Sequence, residues 1–522
     1  MALFCYHAAA FILNEYEIIL ICLNKTIDYF LIQQQNVRVY IGGWIMKKRA
    51  IATLLLLTVL SGCSGGGDSV PQFENVSVHD PSVIKADGMY YVFGSHLASA
   101  KSKDLMAWEQ ISSVVEDGNV LIPNVTEELS ETFSWAQSDT LWAADVIQLA
   151  DGKFYMYYNA CRGDSPLSAM GIAVSDKIEG PYKNQGIILK SGMAGVGDDG
   201  EIYDATQKPN VVDPDVFFDK DGKLWMVYGS YSGGIFILEL DPASGFPLPD
   251  QGYGKKLLGA NHARIEGPYM LYSPETEYYY LFLSFGGLDA NGGYNIRVAR
   301  SKNPDGPFED SSGQSMLDAI GNPDKLFDDP FYSPYGVKLM GNFEFMNTGS
   351  ELQAAGEGYV SPGHNSAYYD DKSGKYYLIF HTRFPYRGEA HEVRVHQMFM
   401  NEQGWPVVAP HRYGGEKIGS YSAKDIVGEY KYINHGRDIT AELVQSELIE
   451  LTADGSVTGA VSGTWRLDSD HTATLTVDGV EFSGVFLQEW NEAVNGNVMT
   501  FTALSGDGTA IWGSHVFGGD SK

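Results

Sequence analysis

Asp80, Asp213, Glu266 and His364 stand far apart in the chain, yet each opens a short segment that leads into the same kind of strand. The segments read DPSVI from Asp80, DPDVF from Asp213, EGPYM from Glu266 and HNSAY from His364; a fifth, AADVI, opens on Ala143. The strands that follow are GMYYVFGS, GKLWMVYGS, EYYYLFLS, GKYYLIFHT and, after Ala143, GKFYMYYNA. In a closed ring of such units the opening residues converge on one axis, bringing three carboxylates and an imidazole together. Such a set suits acid–base hydrolysis, in which a carboxylic acid protonates a departing oxygen while a second carboxylate activates water. Asp80 and Glu266 fit those roles, and Asp213 would raise the Glu266 pKa through like-charge proximity.

A plainer reading competes at each position. Asp-Pro at 80 and 213 can simply start a strand, and Glu266 can form a buried salt bridge with Arg264. The shared register of three acids and a histidine favours chemistry. Asp145 and Asp215 lie in the alternate register and are expected to be structural, facing the blade, and His79 is read as one more turn residue. A lone histidine is a poor signature of a protein-only metal cage. From the residues alone, His364 is therefore equally well a hydrogen-bonding group of the channel.

The elements that must position these residues are strands. Aromatic residues make up 13% of the chain, glycines number 59, and short aromatic runs alternate with Gly, Asp and Asn turns, so the chain is all-β. Five repeats of segment, turn and strand over residues 75–415 predict a five-bladed β-propeller. Residues 422–522 change texture to alternating strands such as SVTGAVSGTWRL and TATLTVDGVEFSGVFL with Asp-Gly turns, which predict a small antiparallel β-barrel or sandwich.

The chain's front reads differently. Lys47, Lys48 and Arg49, the apolar run Ala50 to Leu60, and Leu60-Ser61-Gly62-Cys63 form a lipoprotein signal over residues 46–62, with Cys63 the lipidated first residue. Residues 63–74 are a tether. Residues 1–45 precede Met46 without an amphipathic period and are read as leader translated ahead of the true start; Gly42-Gly43 matches the codons of a ribosome-binding site. Cys161 is expected to be a small buried thiol. A net charge of −30 repels nucleic acid and offers no basic stripe, and suits a neutral ligand.

The motifs VHDPSVI, LWAADV, NVVDPDVFFDKDGKLWMVYGSYSGGIF, RIEGPYMLYSPETEYYYLFLSFGG, GYNIRVARS and GYVSPGHNSAYYD resemble glycoside hydrolase family 43, in particular its bacterial extracellular endo-α-1,5-L-arabinanases. The resemblance covers about residues 75–415, and the C-terminal part resembles the accessory domain of the longer members. It implies inverting hydrolysis of arabinan, the neutral side chains of pectin. The signal at residues 46–62 places the protein outside the cell, held to the membrane by lipid alone or released, and the chain is read as a monomer. By motif position, Asp80 is the implied general base, Asp213 the pKa modulator and positioner, and Glu266 the general acid. Trp142 and Ser230 are implied substrate contacts. His364 is implied to lie beside one channel calcium ion held largely by waters. The sequence departs from the common pattern at Ala143-Ala144-Asp145, where many members have Ala-Pro-Asp. Two alternatives are an exo-acting arabinofuranosidase or β-xylosidase of the same family, and a lipid-anchored propeller that binds oligosaccharides without cleaving them.

The N-terminal reading is tested by mass spectrometry of the native precursor and mature protein. The expected precursor starts at Met46 and the expected mature chain at a diacylglycerol-modified Cys63; a peptide from residues 1–40 would exclude the first, and an unmodified Cys63 the second.

Overall fold

The computed structural model describes residues 70–197, 199–348, 351 and 356–517, together with the backbone of five short strands between residues 9 and 45. Those five form a three-stranded antiparallel meander (Ala9–Leu13, Tyr16–Leu23, Thr26–Ile32) and a hairpin of Tyr40–Ile41 with Trp44–Ile45. The signal and lipidation site, residues 46–63, lie outside the described residues.

The remainder is a five-bladed propeller followed by a closed barrel. Each aromatic run is the second strand of its blade: Met89–Phe93, Phe154–Cys161, Leu224–Tyr228, Tyr278–Phe285 and Lys375–Arg383. Each pairs antiparallel with an innermost strand, Ser82–Ala86, Trp142–Gln148, Asp215–Phe218, Ile265–Ser273 and Glu357–Asp370 respectively. Gly88, Gly152, Gly222 and Gly374 make the connecting turns with φ of 70–84°, the left-handed region that glycine enters without a Cβ clash. Glu277 occupies the same position in blade four at φ 57°.

Period-two alternation explains why both faces of these strands are apolar. Successive side chains of a strand point to opposite faces, and in a propeller each face meets a neighbouring blade. Tyr91 and Phe93 of blade one pack with Met156 and Tyr158 of blade two, whereas Tyr155 and Tyr157 turn the other way to Met226 and Tyr228 of blade three. Val227 then meets Leu281 and Leu283, and Tyr280 and Phe282 meet Leu378 and Phe380. Tyr377 and Ile379 close the ring against Tyr90 and Val92.

Residues 71–78 help fasten that seam. Val393 N–H donates to the Val76 carbonyl at 3.0 Å, Trp108 N–H to that of Glu74 at 3.1 Å, and the Arg412 guanidinium lies 3.4 Å over the Phe73 ring.

Innermost strands of adjacent blades share no ladder, so their backbone groups need other partners. Asp145 accepts from the Ser82 hydroxyl of blade one at 2.5 Å and from Val216 N–H of blade three at 2.9 Å. Asp215 accepts from Met270 N–H of blade four at 2.7 Å. Both acids are structural, as expected, because each binds backbone N–H of the following blade.

Blade five departs from the simple repeat. Its innermost strand runs fourteen residues, so His364 lies within it, between register shifts at Val360/Gly363 and Gly363/Ser366, instead of opening it. The C-terminal part is a barrel of eight strands, closed where Gly428–Asn434 pairs with Ala510–His515. Closure decides between the expected barrel and sandwich. Trp512, Val485 and Leu504 of the barrel join the core of blades four and five.

Candidate active site

Asp80 and Asp213 each sit two residues ahead of the regular strand geometry, with φ of 58° and 56°. Left-handed φ is tolerated by Asp but costs on the order of 1–3 kcal/mol where the surroundings impose it. Asp-Pro therefore does more than start a strand: the backbone turns at the acid, and Pro81 or Pro214 then enters the blade. His364 has φ 43°, and Gly267, next to Glu266, has φ 56°. A Cβ on Gly267 would lie 3.0 Å from the His364 ring, so only glycine lets the ring approach the acid.

The four expected residues come together. His364 Nδ1 is 3.1 Å from Asp80 Oδ1, and Gly267 N–H donates to Asp213 Oδ2 at 3.3 Å. Asp80, Asp213 and Glu266 are all buried, 8%, 5% and 7% exposed, so their mutual fields are weakly screened.

The polar residue that ends each aromatic strand supplies a second layer. Ser95 donates to Asp80 Oδ2 at 2.5 Å, and Ser230 to Glu266 Oε2 at 2.7 Å. Ser284 Oγ accepts from His364 N–H at 2.7 Å. His381 Nδ1 accepts from Asp80 N–H at 3.1 Å, and Asn159 donates to the Ala143 carbonyl at 2.5 Å. The expected sugar contact Ser230 is thus a partner of the acid itself. Trp142 is partly exposed at the start of the blade-two inner strand, paired across to Asn159.

Four site residues were not expected: His79, Ser95, Tyr294 and His381. His79, read as a turn residue, places Nδ1 2.8 Å from Asp80 Oδ1 and stacks on His381 with ring centroids 3.8 Å apart. Tyr294 donates to Glu266 Oε1 at 2.9 Å. Ser95 and His381, at or next to the end of GMYYVFGS and GKYYLIFHT, carried a signal in their repeated polar character; His79 and Tyr294 had no counterpart in the repeats, although both fall within the motifs VHDPSVI and GYNIRVARS. Arg264 bonds Asp329 (Nε to Oδ1 3.0 Å), which disposes of the salt bridge considered for Glu266. Cys161 is buried, with Sγ 3.5 Å from the Ser165 carbonyl.

The electrostatics divide the carboxyls. Burial alone would raise Asp80, but His364 and His79 outweigh it and hold its carboxyl well below the usual range. Burial and then the charges of Glu266 and Asp80 push Asp213 up to about 7, against the pull of His364. Burial also raises Glu266, opposed by His364, Ser230 and Tyr294. Burial disfavours the His364 cation, but Asp80 and Asp213 raise it to about 9. Burial and like charge thus favour the protonated form at Asp213 and Glu266, while the histidines favour the anion at Asp80.

A carboxylate has about four acceptor positions. On Asp80, His79 and His364 meet Oδ1 and Ser95 meets Oδ2, leaving one position on Oδ2 for a further donor.

A metal beside His364 finds few protein ligands. His364 directs Nδ1 to Asp80, so one imidazole nitrogen remains, and a hard ion there would need water for most of its shell. The buried Asn365 amide and Ser366 hydroxyl, without hydrogen-bond partners among the described residues, add oxygen donors next in sequence. That donor chemistry fits a largely hydrated calcium ion. Among the described residues, the group with ligand atoms close enough to share an ion is instead His79, Asp80 and His381, within 4.8 Å of one another.

An ionised carboxylate and a proton-holding carboxyl pair, buried where five blades converge, are what a propeller glycoside hydrolase requires. Residues 73–330 match the glycosyl hydrolases family 43, and residues 410–513 match its C-terminal lipocalin-like domain. The chain is 65% identical over 444 residues to extracellular endo-alpha-(1->5)-L-arabinanase 2 of Bacillus subtilis, covering 85% of this chain and 94% of that one. It is 53% identical over 476 residues to the extracellular endo-alpha-(1->5)-L-arabinanase of Thermotoga petrophila, covering 90% and 99%. Crystal structures of a family 43 glycoside hydrolase from Bacillus licheniformis (66% identity, 85% and 99% covered) and of the Thermotoga petrophila endo-1,5-alpha-L-arabinanase (54%, 86% and 100%) superpose with TM-scores of 0.83 and 0.82. The chain belongs to glycoside hydrolase family 43.

The Tyr294 hydrogen bond stabilises the Glu266 carboxylate, so Tyr294→Phe raises the Glu266 pKa. The alkaline limb of the kcat/KM profile is expected to move to higher pH, with turnover falling roughly tenfold, about 1.4 kcal/mol, for one lost hydrogen bond. A limb that stays in place or moves down would show that Glu266 does not govern it.

Proposed function

We propose that the protein hydrolyses internal α-1,5-L-arabinofuranosidic bonds of arabinan outside the cell, with inversion at the anomeric carbon. The observation that carries this reading is the arrangement of three buried carboxyls: Asp80 held by His79, His364 and Ser95, and Glu266, beside Asp213, held by the hydroxyls of Ser230 and Tyr294. The names of the relatives at 65% and 53% identity support the substrate and the endo mode.

In this mechanism a water donates to the remaining acceptor position of Asp80 and attacks the anomeric carbon as Asp80 takes its proton. Glu266 gives a proton to the departing glycosidic oxygen. Its carboxylate is then stabilised by Ser230 and Tyr294, whose hydroxyls already point at its two oxygens. Asp213, left-handed and fixed by Gly267 N–H, lies where its charge and that of Glu266 oppose each other, so that loss of the proton from Asp213 favours the acid form of Glu266. His364 balances the site: it holds Asp80 as the anion and limits how far the other two carboxyls rise. The surface charge of −30 suits a neutral polymer and opposes docking on polygalacturonate.

A pure binding propeller has no need of a proton donor, which weighs against that alternative. Exo action shares these acids and differs in product size. On debranched linear arabinan the expected early products are mixed oligomers of inverted anomeric configuration by proton NMR, and Glu266→Gln is expected to lower turnover by at least about a thousandfold. Arabinose as the sole early product would replace the endo reading with the exo one. Full turnover by Glu266→Gln would overturn the assignment of the acid.

We further propose that His364 faces one calcium ion in the central channel, held largely by waters, which when bound adds positive charge to the site. Metal analysis of the purified protein is expected to find about one calcium per chain, removed by chelation with loss of activity and restored on adding calcium. His364→Ala protein that retains the ion would overturn this role. Anchoring through Cys63 on the extracellular face follows from the signal and is proposed with it, as is a monomeric state.

A further inference from the structure

Arg264, two residues before the acid, carries an aromatic ring on its guanidinium. Phe327 lies 5.7 Å from the guanidinium carbon and meets the Tyr231 ring edge-on at 6.0 Å. Tyr231 directly follows Ser230, the hydroxyl donor to Glu266, and its own hydroxyl donates to the Gly286 carbonyl at 3.2 Å. Both chain segments that hold the acid therefore hold this aromatic pair. Arg264 is fixed in turn by Asp329, and Gly287 leaves room for it: a Cβ there would lie 2.5 Å from its Nη1.

The contacts with Arg264 and Tyr231 leave much of Phe327 open to solvent. Its side chain is exposed (48%), as are those of Leu326 (60%) and Phe331 (46%), so burial does not repay an apolar residue here. Its φ is 54°, a left-handed backbone that bulky residues rarely adopt and that Asn or Gly would relieve. A ring held in an unfavourable backbone, backed by a guanidinium and still 48% exposed offers apolar surface to a ligand.

We propose that Phe327, backed by Arg264 and Tyr231, is a stacking platform for an arabinofuranose ring on the leaving-group side of the scissile bond. The acid must lie against the departing oxygen, and attacking water comes from the opposite, Asp80 side. Groups mounted on the acid's own segments therefore meet the departing chain rather than the sugar that is attacked. A furanose presents C–H bonds on its less hydroxylated face, which pack on an aromatic face while its hydroxyls stay in water. A platform at this place selects for substrates that continue beyond the cut, the property that separates internal cleavage from trimming of short ends.

This rests on the functional reading above, and two substrates keep the two apart. Linear arabinan places sugars on both sides of the cut, whereas α-L-arabinotriosyl fluoride has a leaving group without a ring. Phe327→Asn removes the ring and suits the left-handed backbone; Phe327→Trp keeps an aromatic face. Phe327→Asn is expected to lower kcat/KM on linear arabinan about tenfold, chiefly through KM, and to change it less than twofold on the fluoride. Phe327→Trp is expected to stay within about threefold of the unsubstituted protein on both. An equal fall on both substrates, or no fall on arabinan, would overturn the platform while leaving the hydrolase assignment standing. Failure of the unsubstituted protein to cleave arabinan at all would overturn the functional reading and the platform with it.

Discussion

The innermost strands of a propeller face an axis and cannot pair with one another, and the rest of this molecule follows from how that is resolved. Radial sheets meet only through side chains. Each aromatic strand therefore serves two neighbours, Tyr91 and Phe93 on one side, Tyr90 and Val92 on the other. At the axis itself apolar packing gives way to polar groups. Asp145 and Asp215 accept backbone N–H donors from the following blade, each otherwise a buried N–H left at a cost of about 1–3 kcal/mol. These bonds hold neighbouring inner strands at fixed offset, and the three converging carboxyls, Asp80, Asp213 and Glu266, ride on those strands.

Two registers thus divide the work along a few residues of chain. Asp215 binds the next blade, and Asp213, two residues earlier, turns through a left-handed backbone into the group containing Glu266 and His364. Residues two apart on a regular strand would share a face; the positive φ at Asp213 is what separates them. The same device operates at Asp80 and Ser82, where Asp80 is cradled by histidines and Ser82 donates to Asp145. The ionisation states follow from burial plus the count of donors each carboxyl meets, which is why three buried acids in one place behave differently.

The register of the segments made Asp80, Asp213, Glu266 and His364 legible in the sequence, because it reflects a repeated geometry. What depended on contacts between distant segments was not legible. His79 looked like a turn residue since its neighbour His381 lies three hundred positions on, and only stacking reveals that they form one wall. Tyr294 sits in a loop with no repeat counterpart. Ser230 appeared as a free hydroxyl because nothing local says that the blade-four acid lies above it. Blade five hid its own irregularity: the register shifts around His364 come from a strand extended toward Phe343–Phe345, a pairing invisible in the motif. Whether the last eight strands formed a barrel or sandwich turned on the contact between the first and last of them.

The hydrogen bond from Asp80 N–H to His381 spans 301 residues, and that from the Ser230 hydroxyl to Glu266 only 36. The acid half of the site is therefore complete once two consecutive blades have docked, whereas the base half waits for the fifth blade to reach the first. Long loops must close before such contacts form, so the base is assembled among the last events of folding. On the roles proposed above, a chain stalled one blade short would hold Glu266 with both its hydroxyl donors, but Asp80 without His364 and His381. Catalysis in this architecture doubles as a proofreader of topology: only a ring that has shut can turn over.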